Sequence, residues 1–229
     1  KRGTRSVTLE SSNPFTPLCG RRTLIKVRPL YILGLSGSPR RHANSETLLD
    51  QVLSGASEAG AETGKIIASG FQNLRPCVNC GDCLKTGRCR VQDEMQEIYP
   101  MLDRADGLVV ASPIYFMGVS AFLKIIIDRC QCYWSRKYVL KEPLFPEDPK
   151  RIRKGLFLAT AGHDKPVVFQ GARMTVRALF DVLDVSYLGE YFATRMEKPR
   201  DILDVEGAMS SVHDMGKRLV EELKGLPHE

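Results

Sequence analysis

LYILGLSGSPRRHANSETLL, running from Leu30 to Leu49, decides how the chain is read. Leu30 to Leu35 is a short apolar run, too brief for a helix and rich enough in Leu, Ile and Tyr for a buried strand. Ser36-Gly37-Ser38-Pro39-Arg40-Arg41-His42-Ala43-Asn44-Ser45 follows, and its glycine and proline stop regular structure. From Ser45 a helical pattern begins, with Asn44 or Ser45 as the natural N-cap. A strand that passes to a helix through small residues makes an anion site, because the free N–H groups of the first turn and the positive end of the dipole converge there. Ser36, Ser38, Asn44, Ser45 and Thr47 add hydrogen-bonding side chains, and Arg40 or Arg41 adds charge. Asp and Glu are missing between Leu30 and Ser45. The plainer reading is a turn whose hydroxyls only cap, but five hydroxyl or amide side chains exceed what capping needs.

The loop has neither the G-x-x-x-x-G-K-[ST] of NTPases nor the third glycine of G-x-G-x-x-G, and no acid is placed to read a ribose. A monophosphate such as that of FMN suits a serine-lined loop better than a pyrophosphate does.

Working outward, strand-like and helix-like runs alternate. Strands are expected at Leu30–Leu35, Lys65–Ser69, Gly107–Ala111, Gly155–Thr160 and Ser186–Phe192. Helices are expected over Ser45–Glu58, from Asp93 as a cap through Met101, and over Ser120–Tyr133, Phe169–Leu183 and Asp204–Leu223. Gly60 and Gly64 are expected to bracket a turn. Alternation of this kind implies a parallel sheet covered by helices on both faces, with its ligand crevice outside the carboxyl ends of the strands. Three loops meet that edge: Ser36–Ser45, Ser112–Gly118 and Thr160–His163.

The chain of 229 residues is 43% hydrophobic and 26% charged, the balance of an ordinary globular protein with one substantial domain. No apolar run approaches the ~20 residues that span a bilayer. The net charge of +6 is lopsided: residues 1–42 carry nine Lys or Arg against Glu10, which leaves the rest slightly acidic. The body therefore lacks the basic, aromatic-studded face of a nucleic-acid binder. Residues 1–29, basic and with three prolines, are expected to be an extension: a flexible or partner-wrapping arm, or a targeting remnant. Cys19 within it is read as a plain thiol. Residues 30–229 are expected to form the domain proper.

Cys77, Cys80, Cys83 and Cys89 follow C-x2-C-x2-C-x5-C inside the segment 76–90. Thiolates at steps of three along one tight loop, with Gly81 and Gly87 to bend it, suit the corners of a 4Fe–4S cube. Structural zinc usually takes two Cys pairs across a long spacer. Free or disulfide-forming thiols stand as a third reading. Such crowding points to a reducing compartment, the cytoplasm. Lys85, Arg88 and Arg90 flank the thiols and would offset their charge. A phosphatase nucleophile needs C-x5-R, and none of the four cysteines has Arg at that step. Cys130 and Cys132, two apart on a helix, are read as core or interface residues.

Ser112-Pro113-Ile114-Tyr115-Phe116-Met117-Gly118 is apolar and aromatic where a polar loop belongs. It suits a flat ring, with backbone groups left for the ring's heteroatoms, or else it packs a core or subunit interface. Thr160-Ala161-Gly162-His163 is a second small-residue loop at the same edge. No Ser/His/Asp or paired-carboxylate constellation stands out, so no side chain is assigned a catalytic role.

On GLSGSPRRHANSETLL, PCVNCGDCLKTGRCRVQDEMQEIY and ADGLVVASPIYFMGVSAFLKIIIDR, the chain resembles the flavodoxin-like NAD(P)H-dependent FMN reductases, and within them the iron–sulfur flavoproteins. The resemblance implies a five-stranded parallel sheet of order 2-1-3-4-5, FMN at the strand ends, and homodimers or homotetramers that bring flavin and cluster near a subunit interface. Carried over by position, Ser36, Ser38, Pro39, Arg40, Asn44 and Ser45 hold the FMN phosphate side. Pro113, Ile114, Tyr115, Phe116, Gly118 and Gly162 line the ring, and Cys77, Cys80, Cys83 and Cys89 ligate the 4Fe–4S cluster. Ala43 departs from the pattern, since such loops often have glycine there. The function implied is electron transfer from NAD(P)H or a ferredoxin through FMN to a quinone, an oxygen species, a free flavin or a protein acceptor. The other function classes are an electron carrier without a substrate of its own, and a thiol redox sensor or zinc-binding regulator built on the same cysteines.

Overall fold

The computed structural model describes residues 28–225. Strand β1 (Tyr31–Ser36) is buried at every position, as its apolar run requires. After it come α1 (Asn44–Glu58), β2 (Glu62–Ile67), the single turn α2 (Cys83–Thr86), α3 (Met95–Arg104) and β3 (Gly107–Pro113). Helices α4 (Ala121–Arg129) and α5 (Gln131–Trp134), strand β4 (Lys154–Thr160), α6 (Gln170–Val182), β5 (Ser186–Ala193) and α7 (Ala208–Lys224) complete the order. All strand pairs are parallel and the sheet runs β2-β1-β3-β4-β5, the doubly wound order expected.

Side chains alternate across the sheet. Ile32 packs with Leu48, Leu49 and Val52 of α1 and with Val212 and Leu219 of α7. Leu33 and Leu35 pack on the other face with Ile98 of α3, Leu123 of α4 and Val176 of α6. Helices α1 and α7 meet backbone to backbone. A Cβ on Gly55 would lie 2.0 Å from the His213 carbonyl oxygen, and one on Gly216 would lie 2.0 Å from that of Val52. At the amino end of the sheet, Asp106 accepts from both terminal nitrogens of Arg28 at 2.8 and 2.7 Å, from the Tyr31 N–H at 2.9 Å and from Arg151 at 2.9 Å. Burial pushes the Asp106 carboxyl up, but these donors prevail and hold it below the usual carboxylate range. The expected extension and its Cys19 lie outside the described residues up to position 27. No helix among the described residues is long and apolar enough to cross a membrane.

Two expectations are corrected. Gly64 does not bracket a turn: β2 begins at Glu62, earlier than the apolar run suggested, and Gly64 lies inside it. The Tyr31 hydroxyl sits 2.1 Å from where a Gly64 Cβ would be, so glycine is there to admit a ring from β1. The single helix expected over Ser120–Tyr133 is broken at Cys130. There the Arg129 carbonyl accepts a hydrogen bond from the Tyr99 hydroxyl at 2.9 Å, an intrusion of the kind that interrupts a helical ladder. The chain then continues as α5 and a π-helical turn, Ser135–Leu140.

Candidate functional site

The turn after β1 is built by its own short side chains. Ser38 Oγ donates to the Arg40 carbonyl at 2.6 Å and accepts from the Arg40 N–H at 3.1 Å, folding the loop over itself. Ser120, the N-cap of α4, accepts from the Leu123 N–H at 3.2 Å and donates to the Gly37 carbonyl at 2.5 Å. A Cβ on Gly37 would stand 2.8 Å from that of Leu123, so this loop and α4 are pressed together at a glycine.

Helix α1 opens at Ala43, and no side chain caps it. This corrects the expectation that Asn44 or Ser45 would be the cap. Both residues lie inside the first turn, whose N–H groups receive no side-chain cap. Glu46 reaches back to accept from the His42 N–H at 2.8 Å. Its burial pushes its carboxyl up, yet the His42 N–H and the Lys65 ammonium, 3.0 Å away, outweigh this and hold it below the ordinary range. Lys65 also meets Asp50 at 2.6 Å, so the charge of this acidic patch beside the loop is met by a cation.

These elements border a cleft of about 310 Å³ at the carboxyl edge of the sheet. Of the residues expected to hold a phosphate, Ser38, Arg40, Asn44 and Ser45 line it. Of those expected to line a ring, Pro113, Ile114, Tyr115 and Gly162 do. Ser36, Pro39, Phe116 and Gly118 are not among its lining residues. Ser36 ends β1 fully buried, and its Oγ has no partner among the described residues. Pro39 points into solvent. Phe116 and Met117 form a tight turn at φ 48° and 62°, closed by the Tyr115–Gly118 bridge, and the Phe116 ring is fully exposed. Left-handed backbone at two bulky residues is strained. The Ile114 N–H is taken by the Thr160 carbonyl at 2.8 Å and the Tyr115 N–H by that of Gly118 at 3.0 Å. Side-chain surface rather than these two N–H groups is therefore what the loop offers a ring.

Asn44 has a role the sequence did not reveal. Its amide nitrogen donates to the Lys198 carbonyl at 2.8 Å and its amide oxygen accepts from the Ile202 N–H at 3.2 Å. It thereby holds a fourth loop, after β5, whose Met196, Glu197, Lys198 and Pro199 wall the cleft. The signal was topological: in a parallel sheet the loop after β5 must leave from the same edge as the other three.

The four cysteines come together. Cys77, Cys80, Cys83 and Cys89 surround one hollow, as their spacing predicted. Asn79, Gly81 and Gly87, at φ 50°, 79° and 66°, curl the backbone around it. Among the described residues no three cysteine sulfurs lie within 4.8 Å of one another; the only trio of ligating types that close is His42, Glu46 and Asp50. Four thiols around one hollow are a donor set that fits a cluster in which each thiolate takes a different iron. Arg90, at the rim, pairs with Asp82 at 3.2 Å. Cys130 is buried in the core as expected. Cys132 is buried too but borders the hollow, and burial pushes its thiol up to about 11.

The model of the NADPH-dependent FMN reductases matches residues 30–196, from β1 through the fourth loop's first residues. The chain belongs to this family. An iron–sulfur flavoprotein of Methanocaldococcus jannaschii is 40% identical over 100 residues, 44% of this chain and 51% of that one. An iron–sulfur flavoprotein of Archaeoglobus fulgidus is 43% identical over 107 residues, 47% of this chain and 54% of that one. The chain thus matches about half the length of these relatives. Among solved structures, the NAD(P)H:quinone oxidoreductase from Methanothermobacter marburgensis superposes at a TM-score of 0.59 with 17% identity, over 88% of this chain and all of that one. At that identity it is the family's fold that is shared.

Proposed function

We propose that the protein is an FMN-dependent oxidoreductase that takes electrons from NAD(P)H or a ferredoxin and passes them to a quinone, a free flavin or a protein acceptor. The observation that carries this reading is the meeting of an uncapped helix start and an aromatic loop in one cleft at the strand ends. The first-turn N–H groups of α1, with Ser38 and Ser45, hold the phosphate, and Arg40 adds charge at the rim. Pro113, Ile114, Tyr115 and Gly162 bound the ring, and the loop held by Asn44 closes the far wall. The bound flavin supplies hydride and electron chemistry, so the protein's share is binding and orientation.

Cys77, Cys80, Cys83 and Cys89 hold a 4Fe–4S cluster, a reading supported by their shared hollow and by their C-x2-C-x2-C-x5-C spacing. Residues 30–229 act as one FMN domain carrying the loop 76–90, preceded by the basic extension 1–29. Cleft and hollow have no lining residue in common. A homodimer or homotetramer that sets the cleft of one protomer against the hollow of the next joins them, and the exposed Phe116 and Met117, next in sequence to the cleft's Tyr115, supply apolar surface for such a contact. The test is titration of flavin-free protein with FMN, followed by anaerobic addition of NADH or NADPH. The reading expects tight stoichiometric binding and bleaching of the flavin. Failure to bind FMN overturns it, and binding without bleaching moves the donor to a ferredoxin.

A further inference from the structure

One buried ion pair fastens both ends of the cysteine segment. Arg129, the last residue of α4, and Asp93 have side chains 0% and 1% exposed. One terminal nitrogen of Arg129 donates to Asp93 at 2.6 Å and to the Arg75 carbonyl at 2.8 Å. The other donates to Asp93 at 3.0 Å and reaches the Val91 carbonyl at 3.4 Å. The Arg75 N–H closes the ring by donating to Asp93 at 3.0 Å. Arg75 stands just before Cys77 and Val91 just after Cys89, so the guanidinium clamps the loop at its two feet.

The remaining N–H of Arg129 has nowhere to go. Its Nε is buried and has no acceptor among the described residues. Arg129 also lines the hollow that the four thiols surround. A buried N–H of a cationic group without an acceptor is costly, and native structures seldom keep one unless a ligand completes it.

We propose that Arg129 Nε–H donates a hydrogen bond to a sulfur of the cluster in this hollow, a thiolate or a sulfide, and thereby raises its reduction potential. This rests on the cluster reading given above. Reduction adds negative charge to the sulfurs, so a donor already in place favours the reduced state. Asp93 neutralises the guanidinium, which leaves the sulfur a directional hydrogen bond rather than a net charge. Arginine suits the task because its planar fork fixes the loop through the four N–H groups of two nitrogens and still has the N–H of a third nitrogen to give, which lysine cannot do.

The test compares wild type, Arg129→Lys and Asp93→Asn after anaerobic purification, by iron and sulfide content and by EPR-monitored reductive titration. Arg129→Lys keeps the positive charge and loses the Nε–H. Its oxidised-to-reduced ratio at a fixed potential is expected to shift at least tenfold toward the oxidised form, about 59 mV for a one-electron couple. Asp93→Asn keeps the donor and removes only an anion, so it titrates at or above the wild-type potential even where cluster occupancy falls. A fall in both variants alike, or none in Arg129→Lys, overturns the proposal. Should Arg129→Lys fail to fold, wild type labelled with ¹⁵N-arginine decides. Pulsed EPR of the reduced cluster must then show a weakly coupled nitrogen that persists in Arg90→Lys, and its absence overturns the proposal. Wild type without iron and sulfide overturns the cluster reading and this proposal with it, a result distinct from a loaded cluster whose potential does not move.

Discussion

Replacing Asn44 by Ala separates two roles for this residue. As a phosphate ligand it would grip FMN directly; as the structure has it, the side chain holds the loop after β5 through the Lys198 carbonyl at 2.8 Å and the Ile202 N–H at 3.2 Å. Asn44 is only 6% exposed, so removing its amide strands the buried Ile202 N–H and the part-buried Lys198 carbonyl. Each costs about 1–3 kcal/mol if left unmet, and water entering as the loop opens recovers part of that. A net loss of ~2 kcal/mol in closing the loop weakens FMN by up to ~30-fold. Riboflavin meets the same wall but brings no phosphate, so it weakens by the same factor. Fluorescence titration with both flavins therefore predicts an unchanged riboflavin-to-FMN ratio of dissociation constants in Asn44→Ala. Ser45→Asp is the counter-case: a carboxylate ~5 Å from a phosphate charge at an effective dielectric of ~20 costs ~3 kcal/mol, which weakens FMN by more than about a hundredfold. Riboflavin escapes that term. If Asn44→Ala weakens FMN alone, or leaves both flavins untouched, the loop-holding role is wrong.

Other consequences are equally open to measurement. Gly216→Ala drives a methyl against the Val52 carbonyl, 2.0 Å from the ideal Cβ position, and helices α1 and α7 must part. Denaturant unfolding should show a loss of about 3 kcal/mol or more, and a loss under 1 kcal/mol would refute the close approach. The folded Asp106 and Glu46 carboxyls lie below their ordinary values, so their stabilisation is complete above the unfolded pKa and is lost as pH falls through the folded one. Melting temperature should therefore decline on acidification below about pH 4, and less steeply in Asp106→Asn, which starts less stable. An Asp106→Asn profile parallel to wild type would remove Asp106 from that account.

How much was legible in the sequence depended on how local each signal was. Strand β1, the loop and the start of α1 were readable because the apolar run, the glycine and proline, and the helical pattern lie within one short stretch. The cysteine spacing was legible for the same reason. Gly64 was misread because its reason is the Tyr31 ring on the neighbouring strand. The break at Cys130 depends on the Tyr99 hydroxyl, which belongs to α3. Asn44 looked like a cap because caps are short-range devices, whereas its partners lie more than 150 residues further on. In the sequence Arg129 is one charge at the end of an apolar helix, and only the fold brings it to Asp93 and both feet of the cysteine loop.

The most direct test of the whole account is elemental and flavin analysis of one anaerobically purified sample, with zinc measured beside iron. The proposed pairing of an FMN cleft with a cluster held by the four thiols predicts about one FMN, about four iron and about four acid-labile sulfide per chain. Stoichiometric zinc without sulfide, or protein that retains no FMN after reconstitution, would contradict it.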